Sequence, residues 1–300
     1  MTLATTQPEA EVRVDASLVT SLITTQVPEA AGFSLGERFE GKDAIVWRLG
    51  DAWAVRLPRR QVAADRNATE VDWLPRISAL WPFRAPIPVR VGVPNAEFPW
   101  RWSVVPWVPG EPATTAPLSI AGASQLGNAL AALHTNAPVQ APRHPKKSQP
   151  LAVRAARFDD RMATLGRRTE GTAWRVNVDA ARRVFDRGAV VPRPAATWAH
   201  LDLKGQHVLT HRGFLAGIID WGDSAAGDPA ADIGQGLVLL PPTHWDAFVE
   251  GLGGLDMPTF ARARAEAIAY AAMLALSHDK TDVAAGWLGL EALGVAQHHR

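Results

Sequence analysis

The sequence predicts an α+β protein in two lobes: a small antiparallel-sheet lobe over residues 1–108 and a larger, mainly helical lobe over residues 109–300. Three observations predict it. Short runs rich in β-branched and aromatic residues, separated by hairpin signals, crowd the first third of the chain. A Gly- and Pro-dense stretch, VPGEPATTAPLS, follows them as a linker. Beyond it, apolar residues recur at helical spacing almost to the C-terminus, with one β-like interruption near residue 200. A chain of 300 residues is long for one core and comfortable for two lobes.

In chain order, Asp15 is a helix N-cap, and Leu18, Leu22 and Ile23 follow at helical spacing. FSLGERF, AIVWRLG and AWAVRLP, divided by EGK and GD, predict a three-stranded meander from about Phe33 to Leu57. A helix starts near Ala63, and Pro75 breaks or restarts it. IPVRVGVP and RWSVVPWVPGE read as two more strands, which completes a five-stranded antiparallel sheet with one helix. Past the linker, Ser119 opens a helix with Ile120, Leu126, Leu130 and Leu133 on one face, and His134 falls at its C-terminus. APVQAPRHPKKSQP reads as a flexible surface loop. Helices run from Leu151 to about Gly188 and again from Pro229 to the end. The twelve Trp read mostly as core, with Trp47, Trp107, Trp221 and Trp245 as candidates to line a cleft.

Composition narrows the function. The chain is 47% hydrophobic and 20% charged, with a net charge of +1, so no global field points to nucleic acid or a membrane surface. The absence of Cys excludes disulfides, thiolate nucleophiles and Cys-ligated metals. The N-terminal MTLATTQPEAEVRVDASL has no basic start followed by an apolar run, and no apolar stretch approaches the ~20 residues of a membrane span. The expected address is the cytoplasm. Charge is uneven along the chain, with 13 basic against 5 acidic residues from Arg143 to Arg193 and 6 against 12 from His200 to Arg300.

The densest chemistry lies in WAHLDLKGQHVLTHRGFLAGIIDWGD, residues 198–223. His200, Asp202, Lys204 and His207 fall within eight residues, and Asp220 returns after a short hairpin. A metallohydrolase would use His200, Asp202, His207, His211 and Asp220. However, HVLTH reads as strand, where residues four apart share a face yet lie too far apart to chelate one ion. Phosphoryl transfer needs a cation on the phosphates, a metal bridging them and a carboxylate to take the acceptor's proton. The kinase loop supplies that carboxylate as H-R-D-x-x-x-x-N with a later Asp on a hairpin. His200 to His207 keeps that spacing, with His in place of the final Asn. Together with the two-lobe outline, this is the plan of a bilobal protein-kinase-like fold.

On these motifs, HLDLKGQHVLT and GIIDWGDSAAGDPAADIG, the chain resembles the aminoglycoside phosphotransferase family, whose usual form is H-G-D-x-x-x-x-N followed by I-D-W/F and G-D-P-x-x-D. EGKDAIVWRLGDAWAVRLPRR, EVDWLPRI and WSVVPWVPGEPA resemble the family's first hairpin, helix and hinge, so the similarity spans roughly Gly32 to Ala275. The resemblance implies Asp202 as catalytic base and Asp220 as magnesium ligand. It implies His200 as a hydrogen-bonding brace of the loop, with Asp228 and Asp232 supporting it from the next helix. Arg56 falls at the phosphate-binding Lys, and Glu70 at the carboxylate that pairs with it. The backbone at Pro106, Trp107 and Val108 would meet the adenine edge, where Pro106 can only accept and Val108 can donate.

Three positions depart from the family pattern: Leu201 for the loop Gly, Arg56 for Lys, and His207 for Asn. The related macrolide phosphotransferases also carry His at that position, and His207 is the expected metal ligand beside Asp220. Lys204, two residues after Asp202, matches the protein-kinase form in which such a Lys reaches the transferred phosphate. The resulting expectation is an ATP- or GTP-dependent, magnesium-requiring O-phosphotransferase acting on a small-molecule hydroxyl. An aminoglycoside-type antibiotic is favoured as acceptor because the acidic stretch after His200 suits a polycation. A macrolide, sugar or amino-alcohol kinase and a nucleotide-binding pseudokinase without turnover are the alternatives.

Overall fold

The computed structural model describes residues 9–298; the first eight residues of the N-terminal stretch read above lie outside it. The chain divides into two compact units. One runs to Pro109 and includes Gly217–Gly222; the other comprises Gly110–Ala216 and the chain from Asp223 onward.

The smaller unit opens with α1 (Ala16–Gln26), where Asp15 accepts the Leu18 N–H at 3.1 Å as N-cap. The buried face of α1, Val19, Leu22 and Ile23, belongs to one core with Ile45, Val55, Leu57, Phe98 and Trp102. β1 (Leu35–Glu40), β2 (Ala44–Leu49) and β3 (Trp53–Pro58) form the expected meander; α2 (Gln61–Ile77), β4 (Arg90–Gly92) and β5 (Trp102–Pro106) follow. The sheet order is β1-β2-β3-β5-β4, antiparallel throughout. α2 continues two residues past Pro75 rather than breaking there. A proline so close to the end forfeits a bond in a turn that is closing anyway, and the Ser78 N–H completes it on the Leu74 carbonyl.

The second unit begins inside the predicted linker with β6 (Glu111–Pro112), followed by α3 (Ile120–Leu133) under a Ser119 cap. Then come α4 (Ala155–Thr169), β7 (Trp174–Val176), α5 (Val178–Ala189), β8 (Thr197–Ala199), β9 (Val208–His211) and β10 (Phe214–Ile218). β11 (Ala225–Gly227), α6 (Ala230–Leu239), α7 (Trp245–Gly251), α8 (Met257–Ala275), α9 (Lys280–Ala292) and β12 (Ala296–His298) complete it. No periodicity marks β7 and β12, which pair with each other across the chain. Strands of three residues are too short to show a period of two.

α8 is the hub of this unit. Twelve of its residues are buried, mostly alanines, and small side chains let α5, α6 and α9 approach closely. At Gly234 of α6, a Cβ would lie 2.6 Å from the Ala263 carbonyl oxygen. That contact fixes the height of α6, which carries Asp232 and Gln235. β9 and β10 form the predicted hairpin, and β10 leaves it through Gly217, where a Cβ would meet the Arg84 carbonyl oxygen at 2.6 Å. Gly217 therefore permits the strand to run beside Arg84 in the smaller unit and deliver Asp220 there.

Candidate active site

In the smaller unit the structure brings Arg56, Glu70 and Asp220 together. Arg56 is central on β3, paired across the sheet with Val46 and Ser103. Its Nη2 donates to Glu70 Oε1 at 2.8 Å and lies 3.6 Å from Asp220 Oδ1. Burial pulls the guanidinium pKa down, but Glu70 and Asp220 more than offset this and raise it, so the cation is locked on. The Glu70 side chain is 3% exposed and that of Asp220 is 48% exposed. The first is a structural partner, and the second presents oxygen to solvent.

Asp220 adopts φ 62, a left-handed conformation that costs a non-glycine residue about 1–2 kcal/mol. Its neighbours hold it there. The Ile218 N–H bonds the Arg84 carbonyl at 2.9 Å, and Trp221 Nε1 donates to the Ile218 carbonyl at 2.9 Å. Trp221 is fully buried and stacks on Trp81 with ring centroids 4.5 Å apart, so it anchors the turn instead of lining a cleft. Pro106 ends β5, and the Trp107 N–H is committed to the Ala52 carbonyl at 2.8 Å. Of Pro106, Trp107 and Val108, this leaves Val108 to donate from the backbone. The Trp107 ring lies under the Arg48 guanidinium, 4.5 Å from its centroid, and against Phe39. Trp47 packs against the smaller unit's core, and Trp245 donates to the carbonyls of Leu237 and Leu240.

In the second unit, α6 clamps the loop that carries Asp202. Fully buried Asp232 accepts the N–H of His200 and of Leu201, each at 2.7 Å, and faces His134 Nε2 at 3.1 Å. Gln235 accepts the Leu203 N–H at 2.6 Å and donates to the Leu201 carbonyl at 3.1 Å. His200 Nδ1 accepts the Asp202 N–H at 3.2 Å. Leu201 itself takes φ 63, and its side chain is buried with Ala199, Ala225 and Ala231. The residue that replaces the usual loop glycine thus keeps a glycine-like backbone, held by two α6 side chains and its own burial. Asp228 does not reach the loop; it accepts Arg262 Nε at 2.9 Å and the Ala230 N–H at 3.0 Å.

His207 Nδ1 lies 2.8 Å from the Asp202 carbonyl oxygen and 3.6 Å from Asp202 Oδ2. A carbonyl only accepts, so Nδ1 carries the proton there and Nε2 is the nitrogen with the lone pair in the neutral ring. Lys204 turns toward α9, with Nζ 3.6 Å from Asp282 Oδ2.

The cation on Asp202 is one that sequence reasoning missed. Lys147 Nζ donates to Asp202 Oδ1 at 2.7 Å and to Asp223 Oδ2 at 2.6 Å. His144 Nδ1 accepts the N–H groups of Lys146 and Lys147, and Nε2 faces Asp223 Oδ1 at 3.6 Å. Ser148 Oγ accepts the His144 N–H, and Ser148 is buried. The stretch read as a flexible surface loop is therefore folded around Lys147. Burial pushes the Asp202 carboxyl up, but Lys147, His207 and Lys204 outweigh it and hold it below the usual carboxylate range. Asp223, under burial but bonded to His144 and Lys147, is held far below that range. Burial lowers the Lys147 ammonium and the two carboxylates raise it, with a net rise. Asp223 lay in plain view in the quoted motif, whereas Lys147 had only a basic pair between prolines to mark it.

The second unit thus presents a carboxylate of lowered pKa on a clamped loop, and the smaller unit a charge-locked guanidinium beside a half-exposed carboxylate. Comparison with known proteins gives this arrangement a family. No curated protein matches the chain. Among solved structures, the GDP complex of wild-type aminoglycoside 2'-phosphotransferase-IIIa superposes with a TM-score of 0.69 at 18% identity, covering 94% of this chain and 99% of that one. The GDP and kanamycin complex of APH(2")-IIia gives 0.62 at 20%, covering 92% and 97%. The macrolide 2'-phosphotransferase MphH apoenzyme from Brachybacterium faecium gives 0.57 at 19%, covering 95% and 99%. These likenesses establish the protein-kinase-like α+β fold. The model of the phosphotransferase enzyme family matches residues 10–268, and the chain belongs to that family.

Proposed function

We propose that this phosphotransferase moves the γ-phosphate of ATP or GTP to a hydroxyl of a small molecule, with Asp202 as base. The observation that carries the reading is the Asp232 and Gln235 clamp, which holds the loop backbone so that an ionised Asp202 carboxylate is presented in one place. In the reaction the acceptor oxygen forms a bond to the γ-phosphorus and its proton passes to Asp202. The bond from the γ-phosphorus to the bridging oxygen breaks, and the nucleoside diphosphate leaves with that electron pair. Arg56 would neutralise phosphate oxygens, with Glu70 fixing its direction. The backbone at Pro106 to Val108 would receive the base edge.

Magnesium fits the residues present. Asp220 offers exposed carboxylate oxygen, the donor this ion prefers, and His207 would offer Nε2. Among the described residues no three His, Asp or Glu side chains gather as a preset cage, and magnesium is commonly held by one or two carboxylates plus substrate phosphates. When bound, the ion supplies charge neutralisation at the phosphates.

Relatives solved with kanamycin, streptomycin or gentamicin support an aminoglycoside-type acceptor and a role in antibiotic resistance; the macrolide enzymes support a larger, apolar one. Among the described residues no helix is long and apolar enough to cross a membrane. The proposal places the reaction in the cytoplasm, and the net charge of +1 gives no reason to add a nucleic-acid partner. Incubation with ATP or GTP and a panel of hydroxylated antibiotics, sugars and amino alcohols, read by product mass, tests the reading. A phosphorylated acceptor supports it. Nucleotide binding without any phosphorylated product makes the chain a pseudokinase.

A further inference from the structure

Much of the acidic excess after His200, which favours a polycationic acceptor in the sequence, is committed within the fold. Asp228 bonds Arg262, Asp232 holds the loop, Glu266 pairs with Arg154, and Asp256 and Asp279 cap helices. The basic excess of residues 143–193 is not used up in this way. Within the second unit, a cavity of about 130 Å³ opens beside Leu201 and Lys147, lined by side chains of α4, α6 and α8. α4 contributes Arg157 and Arg161, four apart on one face, and Arg154 precedes them at the helix N-cap. The preceding loop contributes Lys146 and Lys147.

Two of these cations are matched, Arg154 by Glu266 and Lys147 by Asp202 and Asp223. Among the described residues, Lys146, Arg157 and Arg161 have no carboxylate within ion-pair distance. Half-buried Arg161 is lowered in pKa, first by burial and then by Arg157 and Arg154. The cluster therefore repels itself in the absence of an anion. A second observation points into the same space. Tyr270 is 9% exposed, lines the cavity, and its buried hydroxyl has no hydrogen-bond partner. Burial, with Asp202 and Asp282 nearby, pushes that phenol well above its ordinary value, so it stays an O–H donor. An unmet buried donor is destabilising, and an oxyanion would satisfy it. Stacked Phe158 and Phe185, with Met273, supply an apolar wall. At ~30 Å³ per water the cavity holds about four waters, far below the ~300–1,000 Å³ of a drug-sized site.

We propose that this cavity is an anion subsite for the acceptor, which turns the choice of acceptor from an aminoglycoside to an acid-bearing alcohol or sugar: the hydroxylated small molecule phosphorylated at Asp202 carries a carboxylate or phosphate that Arg157 and Arg161 bind, with Tyr270 donating to it. The proposal rests on the kinase reading for the acceptor's role; the anion site itself does not. Lys147 borders both the cavity and the Asp202 carboxylate, so an acceptor anchored by its acid end reaches the base with its hydroxyl end.

The test is calorimetric titration of the nucleotide-free full chain with inorganic phosphate, in wild type, Arg157→Gln/Arg161→Gln, Tyr270→Phe and Arg56→Gln. Saturable binding is expected, weakened at least tenfold in the double variant, several-fold in Tyr270→Phe, and retained in Arg56→Gln. No saturable binding overturns the proposal; so does binding lost in Arg56→Gln and kept in the double variant, which would locate the phosphate on the nucleotide clamp. Product mass is then read on the same proteins with small hydroxy acids, sugar phosphates, amino alcohols and neutral polyols. Turnover of the acids or sugar phosphates, with a raised acceptor KM in the double variant, supports the acceptor class. Turnover confined to amines overturns that class and leaves the kinase reading intact. Phosphate bound at Arg157 and Arg161 with no acceptor turned over removes the kinase reading and leaves the anion site.

Discussion

Leu201 sets two effects of known size against each other. It holds φ 63 with its side chain fully buried against Ala199, Ala225 and Ala231. Replacing it with glycine, the residue usual in the family, removes a left-handed penalty of about 1–2 kcal/mol. It also deletes a buried side chain, and such truncations cost about 2–5 kcal/mol. Glycine adds about 0.5–1 kcal/mol through the freedom of the unfolded chain. Burial wins, and Leu201→Gly should lose about 1–4 kcal/mol in total. Leu201→Ala loses the side chain and keeps the strain, so it should be less stable than Leu201→Gly by about 1 kcal/mol. Urea denaturation followed by tryptophan fluorescence measures both. A Leu201→Gly protein as stable as wild type would refute the argument, because the strain would then exceed the burial.

Asp232→Ala leaves two buried N–H groups unpaired at about 1–3 kcal/mol each, so a loss of roughly 2–6 kcal/mol is expected, with activity falling along with loop order; unchanged denaturation would mean water replaces the carboxylate. Glu70→Ala should raise the nucleotide KM and leave the acceptor KM nearly unchanged, since it frees Arg56; the opposite split would place Glu70 at the acceptor. Lys147→Met separates the cation from its two carboxylates. Their lowered pKa values give stability that is present above the unfolded value of ~3.9 and lost as pH falls through the lower folded values. The raised Lys147 contributes below ~10.4 and loses its share only as pH rises through its higher folded value. The side chains are 26%, 19% and 15% exposed, between the surface and buried limits. The loss should therefore be about 1–3 kcal/mol, steady from about pH 5 to 9 and shrinking below about pH 4 as the carboxylates protonate. A loss that grew toward low pH would contradict the pairing.

What was legible in the sequence was whatever a local rule encodes. Asp15 and Ser119 act as caps, the meander follows its turn signals, and the Asp202 loop with its hairpin to Asp220 lies where spacing placed it. Arg56 and Glu70 were visible because a strand and the next helix carried them in a familiar order, and they meet at 2.8 Å. What was hidden depends on contacts far apart in the chain. Lys147 reaches Asp202 across 55 residues from a stretch with no periodicity, and β7 meets β12 from the other end of the unit. The charge balance along the chain is ambiguous for the same reason. A residue count cannot tell a capping or buried-paired Asp from one that faces a ligand, whereas the arginine row of α4 shows its unmatched charge only once α8 and the loop close around it.

The central claim is that Asp202 takes the acceptor's proton. The direct measurement is kcat for phosphoryl transfer to whichever panel acceptor yields a product, with nucleotide affinity measured alongside, in wild type and Asp202→Ala. Positioned base catalysis contributes ~10²–10⁴-fold, so kcat should fall by about that factor while nucleotide affinity changes little. Near-normal turnover in Asp202→Ala would contradict the account and assign the proton to another group.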